Sequence, residues 1–243
     1  MASLSGTSQE QRRWLVVGIA LHHVLTPCLR DKIKAEMTPF YQHLVRHFGL
    51  DKQTYPKFLK NIPPSTVNLN YERINNNHTA THRSLYDYCV KDEVSLAKLF
   101  MKPFMAQFSA FNSSFDSSAA LAVLCGALPF VSVEAIAENV RSKVRNEWAH
   151  CDFMAWTEAH YDTCFDLMEN LVKSLGFVNS EEERTLGDLK LWKNHGTFCY
   201  CILYTLRVHD CKYRESLARL KKSRILIICE KNPFGELSSK KIF

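Results

Sequence analysis

Glycine is scarce, eight in 243 residues, and none of the eight sits in a phosphate-cradling loop, so the usual nucleotide-hydrolase and dinucleotide-binding signatures are missing. No Gly-x-Ser-x-Gly elbow and no His-Glu-x-x-His helix is present, which removes the α/β-hydrolase and zinc-protease templates. No apolar run approaches the roughly 20 residues that cross a bilayer. The nine cysteines (Cys28, Cys89, Cys125, Cys151, Cys164, Cys199, Cys201, Cys211 and Cys229) are odd in number and lack the paired spacing of a zinc ribbon. Several fall on apolar faces, where cysteine acts as a small hydrophobe. Reduced thiols and an intracellular, cytoplasmic protein are therefore expected. The polar start, Ser3 to Arg13, agrees: the apolar run Trp14 to Leu21 meets His22-His23 with no small-residue cleavage site. Asn77-His78-Thr79 and Asn112-Ser113-Ser114 are formal glycosylation sequons, accidental in that setting.

What is present points to a packed helical domain. Hydrophobic residues make up 46% of the chain and aromatics 12%, enough for a substantial core. The net charge of +6 tolerates nucleic acid or an anionic surface without requiring either. Helical periods predict a first helix from Gln9 to Leu25 ended by Pro27, and a second from Leu29 to Phe48 interrupted at Thr38-Pro39 and closed by Gly49. From about 51 to 82 prolines and asparagines break any period, which predicts a long irregular connection. Leu96, Leu99, Phe100, Phe104, Phe108 and Phe111 predict an aromatic helical face kinked at Pro103. A short helix over Ala119 to Leu128 follows, then a helix over Val131 to His150, another from Asp152 to Leu175 stopped by Gly176, and one from Ser180 to about Asn194. The expected fold class is all-α, a multi-helix bundle over 9–196. Residues 197–243 form an appended basic and apolar tail, with Arg207 to Arg224 rich in cations.

The stretch Val140 to Asp152 concentrates the chemistry. Val133, Ile136, Ala137, Val140, Val144, Trp148 and Cys151 recur at three- and four-residue steps and so form one apolar stripe. Glu138, Arg141, Ser142, Arg145, Asn146 and His150 fall on the opposite arc. Arg145 and His150, five apart, would diverge by roughly 140° on a regular helix. Asp152 is a good N-cap for a new helix, which predicts a joint at His150 that lets the imidazole turn back. Such a guanidinium suits phosphate oxygens, and an imidazole can move a proton near neutral pH, with a carboxamide to orient either. The three would suffice to cleave RNA by its own 2′-hydroxyl without a metal. They would equally serve as a hydrogen-bonded helix junction.

Arg145-Asn146-x-x-x-His150 resembles the signature of the HEPN superfamily, all-helical and usually dimeric domains that include many metal-independent ribonucleases. The longer string Glu138-x-x-Arg141-x-x-x-Arg145-Asn146-x-x-x-His150-Cys151 is similar to the animal branch of that superfamily, found in the DAZ-interacting zinc-finger ubiquitin ligase and in innate-immune proteins, and the pattern extends over roughly residues 14 to 195. The resemblance implies a bundle of HEPN type with RNA as partner and a homodimer whose two motif helices face each other across one composite cleft. It implies His150 as general acid or base, Arg145 stabilising phosphorane charge and Asn146 positioning, with Glu138 and Arg141 in support. It implies no cofactor and no metal. The same resemblance admits a non-catalytic dimerisation or RNA-binding adaptor with signalling partners, and the residues do not choose between the two.

Further candidates lie outside the motif. Lys143 is a candidate RNA contact, and Arg73-Ile74-Asn75-Asn76-Asn77-His78 repeats the Arg-to-His spacing in a loop-like segment, so Arg73 and His78 join it. Cys199, Cys201, His209 and Cys211 could be drawn as a metal site, but Ile202-Leu203-Tyr204-Thr205 between them lacks the turn chemistry of a zinc knuckle.

Overall fold

In the computed structural model the described residues are 8–56 and 69–208, with side chains described as far as 196. The chain divides into two compact units, Met1–Gly196 and Thr197–Phe243. Of the second, only the backbone of a helix to Val208 is described. The basic run from Arg207 to Arg224 and the residues of the cysteine-histidine cluster therefore lie outside the described side chains. The first unit is helical, with no strand among its described residues.

One helical run opens the chain. Ser8 and Gln11 form a reciprocal cap, satisfying two orphan donors at the start of α1 (Gln9–Ile19). A π-helical turn, Ala20–Leu25, then leads without a break into α2 (Thr26–Phe48). Pro27, expected to end the first helix, instead sits in the first turn of α2. The π turn absorbs it: the Thr26 amide donates to the Leu21 carbonyl five residues back, and the Thr26 hydroxyl bonds the same oxygen at 2.6 Å. Pro39 is likewise carried inside α2. Gly49, at φ 60°, closes the helix as expected, its amide bonding the Val45 carbonyl.

The irregular connection holds short 3-10 turns and is tied by asparagines. Asn75 and Asn76 take the left-handed conformation, which asparagine tolerates. Asn75 Nδ2 donates to the carbonyls of Asp87 and Cys89. Asn77, 4% exposed, donates to Tyr71 O and Asp87 O and accepts from the Asp87 amide. The first sequon asparagine is thus bonded within the fold.

The aromatic stripe is not one helix. Only α3 (Glu93–Lys98) forms, capped by Asp92, and the chain is irregular from Leu99 to Asp116. Competing partners stop it: Leu99 O accepts the Asn70 amide and Met101 O the Asn70 carboxamide, while Pro103 has no amide to continue the ladder. Phe108, Phe111 and Phe115 pack together as a knot instead.

Helix α4 (Ser117–Gly126), capped by Asp116, is the centre of the core, with every residue from Ser117 to Leu124 buried. α2 and α5 (Glu134–Val140) pack on it, and α7 (Glu158–Ser174) packs on α5 and α1. Asp152 caps only a 3-10 turn, Phe153–Ala155, and α7 starts afresh with Thr157 as its cap. α8 (Asn179–Val208) runs past the expected stop before Gly196. Gly196 has no side chain to hold α8 away from α1, and a Cβ there would meet Val16. No single helix among the described residues is long and apolar enough to cross a membrane.

Two glycines on helices separate packing from propensity. A Cβ on Gly18 would run into the Trp148 indole, whereas one on Gly187 would meet nothing. Gly18→Ala is expected to lose about 1–3 kcal/mol in urea unfolding through overpacking, and Gly187→Ala to gain about 0.5–1 kcal/mol through helix propensity.

Candidate functional site

The motif segment is a second π-helical turn. α5 passes into Arg141–Asn146, π-helical, and then into α6 (Glu147–His150). Hydrogen bonds that span five residues add a residue to the turn and shift the phase of everything after it. Val133, Ala137, Val140 and Val144 are buried as the apolar stripe requires, Ile136 is half-buried, and Cys151 is exposed in the left-handed conformation that ends α6. The joint expected after His150 is present.

Trp148 fixes this segment to α1. Its ring stacks on Trp14 at 5.5 Å and 8°, meets His22 edge-on at 4.6 Å, and lies against the bare backbone of Gly18. Trp14 Nε1 donates to the Trp148 carbonyl at 2.8 Å, an oxygen that also accepts the Cys151 amide closing α6. Phe153 packs edge-on to Trp14 from the other side of the joint.

The π turn presents Arg141, Arg145 and Asn146 to a cleft of about 970 Å³. Arg145 Nη1 donates to Asn146 Oδ1 at 3.0 Å, a bond between sequence neighbours that do not face one another on a regular helix. Arg141 pairs with Glu138 at 2.7 Å along its own helix. Ser118 and Ala122 of α4 are small residues of the same lining, and Arg83, Tyr86, Lys102 and Phe104 join it from irregular segments. Among the described residues the lining carries four cationic side chains, Arg83, Lys102, Arg141 and Arg145, and one carboxylate, Glu72, with Arg141 already paired to Glu138. Glu72 is itself drawn to Arg73 at 3.8 Å.

His150 is exposed on the last residue of α6 and is not among the cleft's lining residues. Lys143 and His78 are exposed and Arg73 half-buried, and none of the three lines the cleft. The structure therefore brings together Arg141, Arg145 and Asn146, with Glu138 behind them, while His150 stands apart on the surface of the same segment.

Sequence reasoning missed the irregular part of the lining. Its signal was the basic-aromatic string Arg83-Ser84-Leu85-Tyr86-Asp87-Tyr88, which lies just past the irregular connection as drawn from periodicity. It also missed His22, read only as the end of an apolar run. His22 Nε2 is buried with no hydrogen-bond partner among the described residues. Burial, then His23, hold this imidazole below its usual value. Asp116 opposes, and Arg145 and Arg30 add to the depression. Burial, and then Arg30, depress His23 too.

One other constellation has the residue types of a nucleophile site. Cys164 Sγ lies 3.5 Å from His160 Nε2, and the same nitrogen lies 3.1 Å from Glu147 Oε2. A base oriented by a carboxylate would use its two nitrogens separately. Burial also pushes the thiol up to about 12, so Cys164 is a packing residue at neutral pH. Among the described residues no group of three or more His, Cys, Asp or Glu could hold a metal ion. Compared with family models, curated proteins and solved structures, the chain has no match.

The two depressed histidines make stability depend on pH. Below their unfolded value, about 6.5, the unfolded chain binds protons that the folded chain does not, so stability is retained above that pH and lost as pH falls through it. The urea midpoint is expected to drop between about pH 7 and pH 5, and His22→Gln to flatten the drop. An unchanged slope in the variant would assign the acid sensitivity elsewhere.

Proposed function

We propose that the chain is an RNA-directed helical domain of HEPN kind, with the cleft beside Arg145 as its RNA-binding site. The observation that carries this reading is the junction of the motif with the cleft. Arg145 and Asn146 open, together with Arg141, into a concavity walled by cations and aromatic rings. Guanidinium groups fit phosphate oxygens, and aromatic faces fit unstacked bases, the two contacts from which single-stranded RNA sites are built. A cytoplasmic setting and a homodimer belong to the same proposal.

Cleavage is a second reading, favoured by the exposure of His150. An imidazole exposed at the end of α6 and outside the lining of its own cleft is accessible to a second copy of the chain. In that arrangement Arg145 of one protomer would stabilise the phosphorane while His150 of the other moved the proton. The adaptor reading keeps the RNA site and the dimer and drops the proton transfer.

Labelled RNA incubated with the protein in chelator separates the two. Under the catalytic reading the RNA is cut to a cyclic phosphate end, and both His150→Ala and Arg145→Ala lower the rate by at least about 100-fold. Under the adaptor reading no cutting occurs and Arg145→Ala alone weakens binding. If the parent neither binds nor cuts RNA, the proposal falls. Mixed dimers of the two variants, which restore one complete site under the composite arrangement, would regain part of the lost rate.

A further inference from the structure

We infer that the irregular wall of the cleft selects single-stranded RNA over duplex, with Tyr86 and Phe104 as the base-stacking residues and Arg83 and Lys102 as the phosphate contacts. This rests on the reading of the cleft as an RNA site and adds which RNA it takes and which residues decide.

Two kinds of wall line the cleft. The helical wall offers Arg141, Arg145 and Asn146, together with the small residues Ser118 and Ala122. The irregular wall comes from 69–72, 83–88 and 100–105. On that wall Phe104 is 69% exposed, an unburied ring beside the cationic Lys102. Tyr88 is spoken for: its hydroxyl donates to the Arg83 carbonyl at 3.0 Å, and its ring packs edge-on to Tyr71 at 5.1 Å. It holds the turn that carries Arg83. Tyr86 is tilted from Tyr88, ring centres 6.0 Å apart, and faces the cleft.

Size and chemistry then choose the occupant. A volume of about 970 Å³ is at the upper end of small-molecule clefts, about 300–1,000 Å³, which is room for a short stretch of single strand. A duplex keeps its bases paired and stacked and would offer the two rings nothing to stack on. With cations contributed by both the helical and the irregular segments, the backbone of a single strand meets several phosphate contacts while its bases turn to Tyr86 and Phe104. An acidic peptide would satisfy the cations and leave both aromatic faces unused.

The test is fluorescence anisotropy on the full chain with three probes: an unstructured labelled single strand of about twelve nucleotides, its duplex with the complement, and an oligoglutamate of equal charge. The single strand is expected to bind at least about tenfold tighter than either other probe. Phe104→Leu, at an exposed position, and Tyr86→Leu should each weaken it about five- to a hundredfold. Arg83→Ala and Lys102→Ala should each reduce the slope of log affinity against log salt by about 0.7. Duplex bound as tightly as single strand, or leucine variants that bind like the parent, would overturn the selection while leaving an RNA site. Oligoglutamate bound as tightly as RNA would reassign the cleft to acidic peptides. Failure of every RNA to bind would remove the underlying reading as well.

Discussion

The seating of Trp148 on α1 is the contact on which the candidate site depends. An indole lies against Gly18 only because that residue has no side chain, and Trp14 and His22 hold it in place. The same Trp14 caps the carbonyl of Trp148. One helix therefore fixes both the rotation of the motif segment and the position of its end. That seat acts together with the burial of Val140 and Val144, which fixes the phase of the π turn from the core side.

Both π turns stand where the chain needs an offset of one residue. In the first helical run the extra residue accommodates Pro27, and in the motif it turns Arg145 and Asn146 onto the cleft while Val144 stays in the core. π turns cost hydrogen-bond geometry and persist where packing or function requires them. Here packing accounts for the first. The second coincides with the cationic wall.

Much of the fold was legible in the sequence because apolar spacing and capping residues report local structure. Gly49 and Gly176 mark ends where expected, and Val133, Ala137, Val140 and Val144 of the apolar stripe are buried. The failures were of two kinds. Pro27 was read as a terminator, since a π turn leaves no mark in a period of 3.6. The Leu96 to Phe111 stripe was read as a helix because aromatic residues recur there, but the partners that stop it, Asn70 above all, lie far away in sequence. The site was half legible for the same reason. Arg141, Arg145 and Asn146 share a helix and could be found together, whereas Arg83 and Lys102 reach them only through the fold.

The asparagine ties between Tyr71 and Cys89 have a consequence for recognition. Carboxamides there do what strand pairing does elsewhere, bonding main-chain groups across a segment with no regular structure. The side of the hollow they support is thereby set before anything arrives, and a guest entering it would surrender its own motional freedom while its host surrendered little. Order without secondary structure is what the carboxamides give a segment that reads as a loop.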